Sequence, residues 1–413
     1  MIDCAAYVQT LQNRPVAVFG LARSGLASVE ALIKAGAQVI AWDDKEESRE
    51  AALSLGAQVT PLGEALLKSC AALILAPGVP LHFPQAHPIV KAARAAQCEI
   101  IGDLEILHRL NHGRKTVGIT GTNGKSTTTA LIGHILKENG TPCAIGGNLG
   151  QAVLSLEMPP QNGSFVLEIS SYQMDLCPTF KPDIAILLNI TPDHLDRHGD
   201  MAGYTAAKMR IFSDDPAQVQ IKYPGIDERV RGCTNMKGDH NLQNASAALL
   251  ACEALGLKEA DIIAAIKTFP GLAHRQYHVR TIAGVDYIND SKATNAQAAA
   301  KALGAYDDIY WIAGGQAKDG GLQGLEEYMP HIRHAFLIGE AAEGFAGWLT
   351  AHNVPHSIET TLDNAVHAAH EAAQKAGKGT VLLSPACASW DQFKSFERRG
   401  DQFTELVNNL VAS

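Results

Sequence analysis

Gly118-Ile119-Thr120-Gly121-Thr122-Asn123-Gly124-Lys125-Ser126 sets a lysine and a hydroxyl directly behind a glycine-rich turn. An apolar run precedes the turn, and behind it Leu131/Ile135 and Ile132/Leu136 recur at helical spacing. In a strand–turn–helix of this kind, backbone N–H groups and a helix N-terminus converge on phosphate oxygens. Lys125 would balance charge on the β- and γ-phosphates, and the Ser126 hydroxyl would hold Mg²⁺. The strict GxxxxGK[ST] spacing is not met, because Ile119 stands where the first glycine belongs. Gly121 and Gly124 supply the turn instead. An ordinary βα turn is the competing reading, but the flanking elements and the Lys-Ser register favour nucleotide triphosphate binding.

Two further groups suit a metal. Glu168 closes the apolar run Phe165-Val166-Leu167, and His194 lies between Asp193 and Asp196 after Ile184-Ala185-Ile186-Leu187-Leu188. Open α/β sheets present ligands at such strand ends, and carboxylates suit Mg²⁺. A surface loop is the alternative in both places. Asn241 and Asn244 share one helix face, which by itself fits capping or solvent. Lys208, in the Ala-rich Tyr204-Thr205-Ala206-Ala207-Lys208, reads by itself as a solvated helix residue. Near the N-terminus, Gly20-x-Ala22-x-x-Gly25 with Asp43 downstream is a degenerate dinucleotide fingerprint. His82, His87 and His331 have no metal spacing.

Positioning these groups takes three runs of alternating short strands and helices. The first covers Val16-Ala17-Val18-Phe19, Val39-Ile40-Ala41-Trp42 and Ala72-Leu73-Ile74-Leu75. The second begins at Thr116, with a helical stretch over 241–255, and the third runs from about Tyr287 to Leu383. Such alternation predicts an α/β protein with mostly parallel sheets and right-handed crossovers. Breaks near Gly102 and Pro270-Gly271 divide it into three domains, 1–103, 104–271 and 272–413.

The 413 residues are 46% hydrophobic and 19% charged, enough apolar content for large cores rather than disorder. A net charge of −9 argues against a nonspecific nucleic-acid binder. The eight Cys form no CxxC pair, so neither a zinc site nor a disulfide framework is expected. The start lacks a signal-peptide pattern, and no apolar run approaches the ~18 residues of a membrane span. A cytoplasmic protein without membrane or nucleic-acid partners, acting as a monomer, is expected.

Thr120-Gly121-Thr122-Asn123-Gly124-Lys125-Ser126 resembles the ATP loop of the Mur ligases and their relative folylpolyglutamate synthase. Val166-Leu167-Glu168-Ile169-Ser170-Ser171-Tyr172-Gln173 and Asn189-Ile190-Thr191-Pro192-Asp193-His194-Leu195-Asp196-Arg197-His198 look like the family's metal-binding strand ends. The helix around Lys208 looks like its modified-lysine helix. Asn289-Asp290-Ser291-Lys292-Ala293-Thr294-Asn295 and the closing block from Ser384 to Gly400 are similar to the D-glutamate-adding branch. The likeness runs from Gly20 to Gly400.

The resemblance implies a Rossmann-like first domain for a UDP-linked substrate and a central P-loop domain for ATP. It implies a Rossmann-like third domain that binds D-glutamate and closes on the nucleotide. ATP would lie against Gly121, Thr122, Asn123, Gly124, Lys125, Ser126 and Thr127, with Asn241, Asn244, Arg275, Asp290 and Lys292. Asp290 would orient Lys292. Two Mg²⁺ would be held by Ser126, Glu168, His194 and a carbamylated Lys208, and the catalytic set would be Lys125, Glu168, His194 and Lys208. The UDP part would meet Gly20, Leu21, Ala22, Arg23, Ser24, Asp43, Asp44, Ala76, Pro77 and Gly78, and Asn148 the muramoyl or alanyl part. D-Glutamate would meet Thr294, Lys318, the Ser389 hydroxyl and the Phe396 backbone. The expected reaction is ATP-dependent addition of D-glutamate to UDP-N-acetylmuramoyl-L-alanine through an acyl phosphate.

Three other readings compete. A folylpolyglutamate synthase would share the central loop, but the closing block and the Gly20 turn disfavour it. An NAD-dependent oxidoreductase built on the Gly20 turn leaves the phosphate loop without a task. A noncatalytic nucleotide switch would hydrolyse ATP slowly, whatever amino acid is present. One departure from the family is the short stretch between the Lys208 helix and Lys237-Gly238-Asp239-His240-Asn241. It puts in doubt the extra edge strands that relatives carry there.

Overall fold

Parallel strands covered on both faces read as unbroken apolar runs rather than alternating ones, and that is how this chain builds its sheets. In the computed structural model, which describes residues 1–110, 113–233, 238–317 and 320–411, three sheets follow one another along the chain. The first holds β1 (Val16–Phe19), β2 (Val39–Trp42), β3 (Gln58–Val59), β4 (Ala72–Leu75) and β5 (Glu99–Ile101) in the order β3-β2-β1-β4-β5. All its pairings are parallel. Chain direction across the sheet reverses between β1 and β4, and a ligand crevice forms at such a switch point.

The second sheet holds β6 (Lys115–Thr120), β7 (Cys143–Gly147), β8 (Ser164–Glu168), β9 (Ile184–Leu187) and β10 (Val219–Lys222). Its order, β10-β9-β6-β8-β7, puts β6 between β8 and β9, so three loops leave one edge side by side. The third comprises β11 (Tyr277–Ile282), β12 (Val285–Asn289), β13 (Ile309–Gly314), β14 (Ile332–Ile338), β15 (His356–Thr360) and β16 (Gly379–Leu383). It runs β11-β12-β16-β13-β14-β15, with only the β11–β12 hairpin antiparallel.

The chain divides into two compact units, Met1–Phe269 and Pro270–Ser413. The second boundary lies two residues from the expected one. The expected boundary after residue 103 lies at the start of the helix Asp103–Arg109. There Gly102 N–H donates to Leu176 O at 2.9 Å, and the buried Glu105 carboxylate accepts from the backbone of Thr179 and Phe180. One apolar core takes in Val16, Val18 and Ile74 of the first sheet together with Phe165, Leu167 and Ala185 of the second. That shared core is why the first two sheets make one unit. The short segment after the Lys208 helix contributes β10, parallel to β9, and among the described residues it forms no separate sheet.

Candidate active site

The glycine-rich turn leaves β6 at Thr120 and enters the helix Lys125–Glu138. Gly121 has φ 149° and Gly124 φ 85°, conformations that favour glycine. A Cβ on Gly124 would stand 2.3 Å from Asn244 Oδ1. Asn189, just past β9, pins the turn: its carbonyl accepts from Thr122 N–H at 2.9 Å and its Oδ1 from Asn123 N–H at 2.8 Å. Asn189 was not among the expected site residues, although a polar side chain directly after an apolar strand was its visible signal. Lys125 Nζ donates to the carbonyls of Gly121 and Thr122 at 2.8 and 2.9 Å.

Glu168 ends β8 and is 2% exposed. Its Oε1 accepts from Asn148 Nδ2 at 2.7 Å, while its buried Oε2 has no hydrogen-bond partner. Such an orphaned carboxylate oxygen is costly unless a cation or proton meets it. Lys208 sits on the helix Met201–Met209 and is 1% exposed, so the solvated-helix reading does not hold. Its Nζ donates to Gly121 O at 2.8 Å. Burial first, and the neighbouring Lys125 second, push its pKa down to about 7, against the pull of Asp193 and Glu168.

His194 is half exposed, with φ 51°, and its Nε2 lies 3.4 Å from Asp193 Oδ2. Its ring packs 5.0 Å from Tyr172 and 6.3 Å from Tyr204. The Tyr204 hydroxyl lies 3.1 Å from Thr122 Oγ1. The Arg197 guanidinium stacks over Tyr172 and donates to Gly78 O at 2.9 Å, fastening the turn after β4 to this site. Asn244 is buried behind the turn, where its Oδ1 accepts from Thr128 Oγ1 and its Nδ2 donates to Asn241 Oδ1, both at 3.3 Å. Ser126 and Thr127 open the helix after the turn.

Among the described residues no group of three or more His, Cys, Asp and Glu is placed to hold a metal. Mg²⁺ still fits the residues present, since Glu168 Oε2 is an unanswered oxygen at the strand end beside the turn. The Lys208 amine fits only in modified form, because an ammonium repels a cation.

At the switch point of the first sheet, a Cβ on Gly20 would meet Ala76 Cβ at 2.6 Å, and one on Gly25 would meet Gly20 O at 1.9 Å. Asp43 accepts from Leu21 N–H at 2.5 Å, and His87 Nε2 lies 3.4 Å from Asp44. Ala22 caps the helix Arg23–Lys34, which carries Ser24 in its first turn. Arg23 donates to Gly150 O and Asn148 O at 2.8 and 3.1 Å, and Arg197 approaches Pro77 O at 3.4 Å. The Gly20 turn is thus tied to the loop that carries Asn148.

The second unit gathers the remaining groups at one edge of its sheet. Asp290 is 4% exposed, with its pKa raised to about 7 by burial. It accepts from Gln276 N–H at 3.1 Å and Ser384 Oγ at 2.8 Å. The Lys292 Nζ lies 5.9 Å from the centre of the Phe396 ring. Arg275 closes a short bridge with Leu272, and Thr294 N–H donates to Lys292 O. Ser389 is buried, and Phe396 O accepts from Ser291 Oγ at 2.8 Å. Lys318 lies outside the described residues.

Residues 119–227 match the family model for the Mur ligase middle domain. Solved structures share the fold: UDP-N-acetylmuramate-alanine ligase MurC of Thermotoga maritima has a TM-score of 0.56 at 18% identity, covering 96% of this chain and 99% of that one. MurF of Acinetobacter baumannii has 0.55 at 16%, covering 98% of each. The chain therefore has the fold of the Mur ligases, with their middle domain around the phosphate turn.

The sequence comparison goes further. The chain is 44% identical to the UDP-N-acetylmuramoylalanine–D-glutamate ligase of Caulobacter vibrioides, over 98% of both chains. The enzymes of the same name from Paramagnetospirillum magneticum and Rhizobium meliloti are also 44% identical, over 97% and 98% of both chains. The chain belongs to the Mur ligase family, among its UDP-N-acetylmuramoylalanine–D-glutamate ligases. The Caulobacter alignment runs over 461 positions, more than the 413 residues here, so that relative carries segments this chain lacks. No helix among the described residues is long and apolar enough to cross a membrane.

Proposed function

We infer that this chain joins D-glutamate to UDP-N-acetylmuramoyl-L-alanine at the expense of ATP. The observation that carries the reading is 44% identity to such ligases across 98% of both chains, a span that takes in all three sheets. The alanyl carboxylate attacks the γ-phosphorus of ATP, the bond to the β–γ bridging oxygen breaks, and an acyl phosphate and ADP form. The D-glutamate amine, having lost a proton, then attacks the acyl carbon. Phosphate leaves and the amide remains.

The first step brings two anions together, so positioned positive charge governs its rate. Lys125 is placed to exchange its bonds to Gly121 O and Thr122 O for phosphate oxygens. Backbone N–H groups at the start of the helix Lys125–Glu138 receive the same phosphates. Two Mg²⁺, held by Ser126, Glu168, His194 and the Lys208 carbamate, would supply further charge neutralisation. Asn148 fixes the Glu168 carboxylate through Oε1 and leaves Oε2 available. The carbamate forms when the neutral Lys208 amine adds to CO₂ and releases one proton. Gly20 to Ser24, Asp43, Asp44, Ala76, Pro77 and Gly78 take the UDP moiety, and Thr294, Lys318, Ser389 and Phe396 take D-glutamate. A cytoplasmic setting, where ATP is available, suits the reaction.

Phosphate release with ATP and UDP-N-acetylmuramoyl-L-alanine, offered D-glutamate, L-glutamate, L-lysine or meso-diaminopimelate in turn, tests the reading. Stimulation by D-glutamate alone is expected. Preference for a diamino acid, or release indifferent to every amino acid, would reject it.

A further inference from the structure

The helix Phe396–Asn409 carries a buried cation in its first turn. Arg399 is 1% exposed. All five guanidinium donors are engaged, and every acceptor is a neutral oxygen. Nε donates to Ser291 Oγ and Nη2 to Ser291 O, both at 3.0 Å. Nη2 also reaches Cys387 O at 3.0 Å, and Nη1 reaches Ala388 O at 3.3 Å and Gly314 O at 3.5 Å. Among the described residues no carboxylate bonds to it. Burial lowers its pKa to about 10, and Cys387 and, from beyond ion-pair distance, Asp391 only partly offset this. Asp391 accepts from the N–H of Glu340 through Oδ2 at 3.1 Å, and its buried Oδ1 has no hydrogen-bond partner among the described residues.

Three factors disfavour a cation at this position: removal from water, absence of a hydrogen-bonded counter-charge, and the positive end of a helix dipole. A neutral side chain filling the same space would avoid all three. The carbonyls it binds belong to the end of β13 and to the loops leaving β12 and β16, which are neighbours in the order β12-β16-β13. That edge is where open α/β sheets take their ligands. Ser389 follows Ala388 directly, while Thr294 and Phe396 each lie three positions from a member of the network.

We propose that Arg399 is a positioning residue of the amino-acid subsite: it frames the loops carrying Thr294, Ser389 and Phe396, and its charge, bonded to no carboxylate among the described residues, draws the dicarboxylate. The anionic amino acid adds negative charge to a buried guanidinium that the protein offsets only through Asp391, beyond ion-pair distance. This rests on the assignment of D-glutamate to Thr294, Ser389 and Phe396 under Proposed function.

The test is steady-state kinetics of the full chain with each substrate varied in turn, alongside thermal midpoints. Arg399→Lys keeps the charge and loses the fork; Arg399→Gln loses both. The expected rise in D-glutamate KM is about tenfold for Arg399→Lys and about a hundredfold for Arg399→Gln, with the other two KM values within about threefold. Loss of kcat and thermal midpoint with D-glutamate KM unchanged would mean a structural role only and overturn the proposal, and equal KM values for the two variants would remove the charge argument. Should Arg399→Gln not fold, Ser291→Ala removes the hydroxyl that takes Nε, and a D-glutamate KM unchanged in both Ser291→Ala and Arg399→Lys overturns it equally. Thr294→Ala and Ser389→Ala separate the two levels. If neither moves D-glutamate KM, the subsite assignment itself fails. If both do and the Arg399 variants do not, only the role of Arg399 fails.

Discussion

Lys125 and Lys208 donate to the same acceptor, the carbonyl oxygen of Gly121, each at 2.8 Å. One oxygen has lone pairs for both, but two ammonium groups at that separation repel each other. The more deeply buried amine yields. Lys208, lacking water, is held down to about 7, while Lys125 also has the carbonyl of Thr122. An amine whose pKa lies near 7 is a nucleophile as well as a cation, so Lys208 equips the turn with a reactive amine.

The carbamylation proposed for Lys208 makes use of that difference. Only the neutral amine adds to CO₂, so labelling in the metal-free protein rises with pH through about 7 rather than through the usual lysine range. Between pH 6 and pH 8 the reactive fraction grows about tenfold at fixed dissolved CO₂. Carbon-13 NMR of protein equilibrated with labelled bicarbonate, compared with Lys208→Ala, measures it. A labelling midpoint near pH 10, or a signal surviving in Lys208→Ala, contradicts the assignment.

Glu168→Gln addresses the orphaned oxygen. The amide keeps the shape of the side chain but puts a neutral group where Oε2 has no protein partner. The expected result is a folded protein with kcat lowered about a hundredfold or more and a Mg²⁺ requirement raised about tenfold. Magnesium titration of ADP release reads both. Unchanged magnesium dependence would show that Glu168 does not serve the ion.

Gly124→Ala tests the tightness of the turn. At φ 85° the new Cβ would lie 2.3 Å from Asn244 Oδ1 and 3.2 Å from Leu188 Cδ1. Strain of about 1–3 kcal/mol is expected, with the turn forced off its phosphate-receiving shape. Thermal unfolding and the KM for ATP should worsen together. Gly140→Ala, at a positive φ of 64° with no atom within 4 Å of the added Cβ, is the control for strain without collision.

The phosphate turn was legible because a run of consecutive residues makes it: strand, two glycines, Lys-Ser and a helix lie within one stretch of chain. Element positions followed similarly, with the helix expected over 241–255 found as Asp239–Ala254. The join of the first two sheets was less legible, because Val16 and Phe165 are far apart in sequence and meet only in a shared core. Asn189 and Arg197 were in view as parts of a motif, but their bonds to residues 122–123 and 77–79 depend on strand order.

By itself, then, the order of residues determined the nucleotide turn, the three runs of strands and the family, since each is written in local spacing or in motifs along the chain. Folding decided what the charged side chains are. Lys208 in an Ala-rich helix and Arg399 beside Arg398 look like ordinary surface cations in the sequence. Packing leaves each 1% exposed among carbonyl oxygens. The free energy of a charge depends on the water and dipoles around it, and in both places those come from residues distant in the chain.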